Sequence, residues 1–170
     1  MKKVFFSIFL FAQVLLARTP GVYPNPKLTP GVAAPVTQEQ VLQAGYTQDA
    51  RHVPDSVKWQ VLVRYGLAKG TFDQAKLSAL LKVYEIDHFI SLELGGANDI
   101  NNLWPEPYVI SVKGENLGAR QKDVAETGLH RMMQRHELTL KQAQAVVTKD
   151  WVRAYHQLKA HQPVTVPRAR

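Results

Sequence analysis

Val83-Tyr84-Glu85-Ile86-Asp87-His88-Phe89-Ile90, then Gly95-Gly96, Asn98-Asp99-Ile100-Asn101-Asn102 and Leu103-Trp104-Pro105, form the stretch on which the fold turns. The first eight residues favour a strand, whereas the glycine pair and the Asn/Asp cluster are turn and loop chemistry. A hairpin with a long polar loop, followed by a helix, is the simplest expectation. Within this stretch Glu85, Asp87, His88, Glu93, Asn98, Asp99, Asn101, Asn102 and Glu106 crowd around the Gly-Gly turn. Side chains alternate along a strand, so Asp87 and His88 point apart unless the strand twists or ends there. An acid-imidazole pair at a strand terminus points to a functional position.

Outward from this centre the pattern becomes helical. Val57, Val61 and Tyr65 recur at i, i+4, i+8 behind Pro54 and before Gly66, which predicts a helix over 54–65. Thr71-Phe72-Asp73-Gln74 has the form of a capping box opening a helix to about Lys82. A third helix is expected over 119–135, weakened by Gly128. The strongest follows Thr139-Leu140-Lys141-Gln142, where Leu140, Ala143, Val147, Trp151, Ala154 and Leu158 keep a 3.6-residue period. The lead-in, residues 18–40, carries five prolines up to Pro35, which forbids helix from Arg18 to about Pro35 and suggests an extended linker or a strap on the domain. The tail, 161–170, with two prolines and two arginines, reads as mobile.

The amino terminus reads as an export signal: Met1-Lys2-Lys3, an apolar run from Val4 to Leu16 broken only by Ser7 and Gln13, and a small residue, Ala17, as the cleavage point. The run is shorter than the roughly 20 residues needed to cross a bilayer. A lipid anchor after the signal needs a cysteine, and the chain has none. The expectation is a periplasmic or secreted protein with no stable membrane insertion. About 150 residues would remain, enough for one domain, placed over 41–160, but not for two. Without disulfides the fold rests on packing, helped by any bound metal. Removal of Lys2 and Lys3 takes the formal charge from +7 to +5, which suits a polyanionic partner such as nucleic acid without requiring one.

The run from Tyr84 to Pro107 resembles the core of the HNH nucleases, with its Asp87-His88, Gly95-Gly96 and Asn102-Leu103. More narrowly it is similar to small exported bacterial HNH proteins, through Asn102-Leu103-Trp104-Pro105-Glu106-Pro107 and Lys122-Asp123-Val124-Ala125-Glu126. Gly45-Tyr46-Thr47, Arg51 with Val53-Pro54, Arg64-Tyr65-Gly66, Ala143-Gln144 and Asp150-Trp151 also match that group. The resemblance implies an α+β fold: a ββα-metal element over about 83–130, flanked by helices. It implies metal-dependent hydrolysis of phosphodiester bonds in DNA, or RNA, with little sequence preference.

By the same resemblance His88 is the general base, Asp87 a ligand of one divalent cation, and Asn102 the residue that holds the His88 loop. The chain departs from the wider pattern in having no His between His88 and His130 and a longer connection from Glu106 to Leu117. Candidates for the second ligand lie on the 119–135 helix, where Asp123 and Glu126 share a face and His130 lies one turn beyond Glu126, and Asp123 or Glu126 is the favoured choice. Carboxylates favour Mg²⁺ or Mn²⁺, whereas recruiting His130 favours Zn²⁺ or Ni²⁺. The narrower group carries cysteines near positions 42 and 133, where this chain has Leu42 and Met133.

Simpler readings stand beside these. Asp123 and Glu126 also fit a solvated helix face, and Trp104 fits core better than a base-stacking platform. Lys113, Arg120 and Lys122 are candidate nucleic-acid contacts, with Arg51, Lys58 and Arg64 behind them, although each alone reads as an exposed charge. His52, His136, His156 and His161 show no ligand spacing. Two rivals to the nuclease remain: a nucleic-acid-binding protein of the same fold that does not cleave, and another exported metal-dependent hydrolase.

Overall fold

The computed structural model describes residues 20–48 and 51–168; the export signal expected over 1–17 lies outside them. The chain forms an α+β domain whose order is α1 (Gln38–Val41), α2 (Asp55–Arg64), α3 (Gln74–Leu80), β1 (Tyr84–His88), β2 (Leu103–Pro107), β3 (Ile110–Val112), β4 (Glu115–Leu117), α4 (Ala119–Gln134) and α5 (Leu140–Lys159). A single 3₁₀ turn, Leu92–Leu94, sits in the β1–β2 loop. Among the described residues no helix is long and apolar enough to cross a membrane.

β1 and β2 pair antiparallel, with Glu85 opposite Glu106, Asp87 opposite Trp104 and His88 opposite Leu103. Because side chains alternate, Glu85, Asp87, Trp104 and Glu106 share one face of this hairpin while Ile86, His88 and Leu103 share the other. β2 is buried along its whole length, which places protein on both of its sides. One apolar cluster joins Trp59, Val61 and Leu62 of α2, the following Tyr65 and Leu77 of α3 to Ile86, Phe89, Leu103 and Trp104. A second joins Val41, Leu94 and Leu117 to Leu129 and Met133 of α4 and to Val147 and Trp151 of α5. Leu42 packs against this second cluster, to which Met133 also belongs.

Most helices follow their local signals. Thr139 closes a full capping box with Gln142 at the start of α5. Gly128 does not break α4: a methyl group there would lie 2.5 Å from Leu158 Cδ1, so the missing side chain lets α5 approach. Three expectations need correction. Asp73, not Thr71, caps α3, accepting from Lys76 N–H at 3.0 Å. The Glu106–Leu117 connection is no simple loop but carries the β3–β4 hairpin, turned at Lys113-Gly114 with φ of 50° and 85°. The tail is not loose over its described part: Gln157 and Thr165 exchange two hydrogen bonds, and Val164 and Val166 pack on the second cluster.

The proline-rich lead-in is a strap. Gly31 N–H donates to Asn101 O, Ala34 N–H to Gly95 O, and Ala97 N–H to Val32 O, so the strap pairs with the β1–β2 loop. The buried Thr29 hydroxyl meets Leu103 O at 2.9 Å and the Tyr65 hydroxyl at 2.8 Å. Prolines remove donors and fix φ, yet leave these intervening amides free to bond.

Candidate functional site

The β1–β2 loop is organised by one side chain. Asn102 is fully buried; its amide nitrogen donates to Ile90 O and Ala97 O, both at 2.9 Å, and its oxygen accepts from Ile90 N–H at 2.9 Å and Val32 N–H at 3.3 Å. The glycine pair is needed beside it. Gly95 sits at φ 70°, and a methyl group on Gly96 would come within 1.7 Å of Ile90 O. Arg64 braces the loop from outside, donating to Ile100 O and to Asn101 Oδ1. This framework fixes the end of β1, where Asp87 and His88 stand.

Strand termination resolves their alternation: both line one cleft of about 440 Å³, together with Arg51, Val53, Glu85, Glu93, Asp123, Glu126 and Thr127. His88 is buried, and its Nε2 lies 3.2 Å from Asn98 Oδ1. With Nε2 donating to that oxygen, Nδ1 keeps the free lone pair. Burial lowers the His88 pKa, against the raising influence of Asp87 and Asn98, so the ring is neutral near pH 7.

α4 supplies the other wall. Its buried stripe is Ala119, Lys122, Ala125, Glu126, Leu129 and Met133, so Lys122 is inside the protein. Its ammonium donates to Asp87 Oδ2 at 2.5 Å, to Glu126 Oε1 at 2.5 Å and to His88 O at 2.9 Å, with Glu106 Oε2 at 3.7 Å. Burial opposes the charge of Lys122, but the three carboxylates outweigh it and raise its pKa well above the ordinary value. Lys122 therefore cannot serve as an external contact to nucleic acid, because its amine is fully enclosed and its hydrogens are used. Lys113, at a hairpin tip, and Arg120 are exposed and lie outside the cleft lining.

The carboxylates are crowded. Burial opposes ionisation of Asp87, yet the Lys122 ammonium and Glu106 hold its pKa below the usual range. Glu106 is buried with no hydrogen-bond partner for either oxygen, and burial, against the pull of Lys122, pushes its pKa well up. Burial, against the pull of Lys122, raises Glu126 to about 8. Glu85 and Asp123 are also raised, by burial first and then by the Asp87 charge. The cleft thus gathers five acidic side chains, Glu85, Asp87, Glu93, Asp123 and Glu126, beside one basic one, Arg51, in a chain whose overall charge is positive.

Of the proposed ligands, Asp87, Asp123 and Glu126 all reach this cleft. Among the described residues no three His, Asp or Glu side chains enclose a space open to an ion. His130 lies elsewhere, with Nδ1 2.8 Å from Glu93 O. Trp104 is core, fully buried. Sequence reasoning missed Asn98 as the partner of His88, Glu106 as a buried acid, and Lys122 as an internal ion. The signal for Lys122 was present: it falls within the apolar stripe 119, 125, 129 and 133, where an exposed charge does not belong. Comparison of the chain with family models, curated proteins and solved structures gives no match.

Proposed function

We propose that the chain is an exported, metal-dependent phosphodiester hydrolase of the HNH type, in which β1, β2 and α4 form the ββα-metal element. The observation that carries this reading is the meeting of a neutral His88 with Asp87, Asp123 and Glu126 in one acidic cleft. Such a cleft repels a nucleic acid backbone unless a cation intervenes. Donor chemistry fits a hard divalent ion such as Mg²⁺ or Mn²⁺, which commonly takes one or two protein carboxylates and completes its shell with water and phosphate oxygens. Asp87 keeps part of its carboxylate exposed to the cleft, and Asp123 is exposed beside it. When bound, the ion would stabilise negative charge developing on the phosphate and the leaving oxygen.

The chain's own groups then have distinct tasks. His88 Nδ1 takes the proton of a water molecule as that water attacks phosphorus. Asn98 fixes the tautomer and the ring orientation. Asn102 keeps the loop in register, and Lys122 ties the His88 carbonyl and the Asp87 carboxylate to α4.

The test is cleavage of plasmid DNA. Chelation should abolish it and added Mg²⁺ or Mn²⁺ restore it, while His88→Ala should lose about 10²- to 10⁴-fold in turnover with metal binding retained. A folded His88→Ala protein cutting at the parent rate in saturating metal refutes the assignment. Export is tested by amino-terminal sequencing of protein recovered outside the cytoplasm, which should begin near Arg18. A second reading, a binding protein that does not cleave, is favoured by one observation: Lys122 already neutralises much of Asp87. DNA binding with no cleavage in any divalent metal would select it.

A further inference from the structure

The point on which the buried carboxylates converge is a lysine nitrogen. Around Lys122 Nζ stand Asp87 Oδ2, Glu126 Oε1, His88 O and Glu106 Oε2, drawn from β1, β2 and α4. An ammonium has three hydrogens, and the first three oxygens use them. Glu106 is a fourth oxygen donor with no hydrogen left for it: it is fully buried, unpartnered, and aimed at the same nitrogen from 3.7 Å. More oxygens surround the nitrogen than it can bond, and all are hard donors. A spherical ion has no such limit and takes six or more oxygens of this type.

We propose that Lys122 is a resident cation: its ammonium fills an oxygen shell of the kind that holds a hard divalent ion, so only the cleft side of Asp87 is left for an exchangeable one. The shell needs no assumption about activity; the single exchangeable ion rests on the hydrolase reading above. Removing the side chain beyond Cβ should turn the shell into a divalent site. Filling it with a neutral chain of similar length should not.

The experiment compares parent, Lys122→Ala and Lys122→Met proteins, stripped with chelator. Bound Mn²⁺ is counted by electron paramagnetic resonance, and thermal unfolding is followed with and without millimolar Mn²⁺ or propylammonium. Lys122→Ala should bind one Mn²⁺ more than the parent, and either cation should raise its Tm by more than about 5 °C. Lys122→Met should bind the parent number and gain nothing from propylammonium. A parent that binds no Mn²⁺ beside a Lys122→Ala that binds one upholds the shell and removes the metal-dependent reading. Equal binding of one ion by both does the reverse. Lys122→Ala protein that stays unfolded in both cations also overturns the proposal, since an empty shell would accept either.

Discussion

Asn102→Ala is the sharpest test of how the site is held. The substitution leaves Ile90 N–H, Ile90 C=O and Ala97 C=O without their side-chain partner, in a place where Asn102 itself has no exposure. A buried polar group left unpaired costs about 1–3 kcal/mol. Partial relaxation and entry of water reduce the sum, so the expected loss is about 3–5 kcal/mol, a large share of a stability of about 5–15 kcal/mol. In urea, with a slope of about 2 kcal/mol per molar, the midpoint should fall by about 2 M. Asn102→Asp should not rescue it, because the group facing Ile90 O and Ala97 O becomes an acceptor that opposes them. Asn101→Ala is the control: that side chain is only half-buried and accepts from Arg64, so its loss should stay below about 1 kcal/mol. A loss below about 1 kcal/mol for Asn102→Ala itself would show that the loop does not depend on this amide.

Two further outcomes follow from the same region. Gly96→Ala must displace the Ile90 carbonyl, a backbone atom, and should cost about 3 kcal/mol or more in thermal unfolding, whereas Gly95→Ala meets the strain of φ 70° and the Val36 and Val41 methyl groups at 3.2 Å and should cost less, about 1–2 kcal/mol. Glu126 keeps its proton in the folded chain to about pH 8, whereas the unfolded chain releases it near 4.5, so metal-free stability should fall as pH rises across that window. Its share of the slope is at most about 1.4 kcal/mol per pH unit, added to those of Glu106, Glu85 and Asp123, which are raised too, and Glu126→Gln should reduce the slope by that share; identical pH profiles for parent and variant would remove Glu126 as a source.

Much of the fold was legible because its signals are local. The α5 capping box and period, the Pro54-to-Gly66 bounds of α2 and the β-favouring run before the glycine pair each act within a few residues. The β3–β4 hairpin escaped because its turn is Lys-Gly, with a lysine at positive φ where Asn or Asp is the usual signal. The tail was misread because its anchor, the Gln157–Thr165 pair, depends on α5 being already formed.

The site divides along the same line. Asp87, His88 and Asn102 are adjacent to turn chemistry that can be read directly, but Asp87 and Lys122 are 35 residues apart and meet only when α4 lies across the β1–β2 face. Taken one at a time, Lys122 and Glu126 are an ordinary exposed i,i+4 pair. Taken with Ala119, Ala125, Leu129 and Met133 they lie inside a buried stripe, and a buried ammonium demands carboxylates from another element. Asp87 and Glu106, which share a face of the β1–β2 hairpin by alternation, are the acids near the end of the strands that such a stripe can meet. The helix periodicity and the strand alternation, applied together, therefore lead to the charge cluster that either pattern alone conceals.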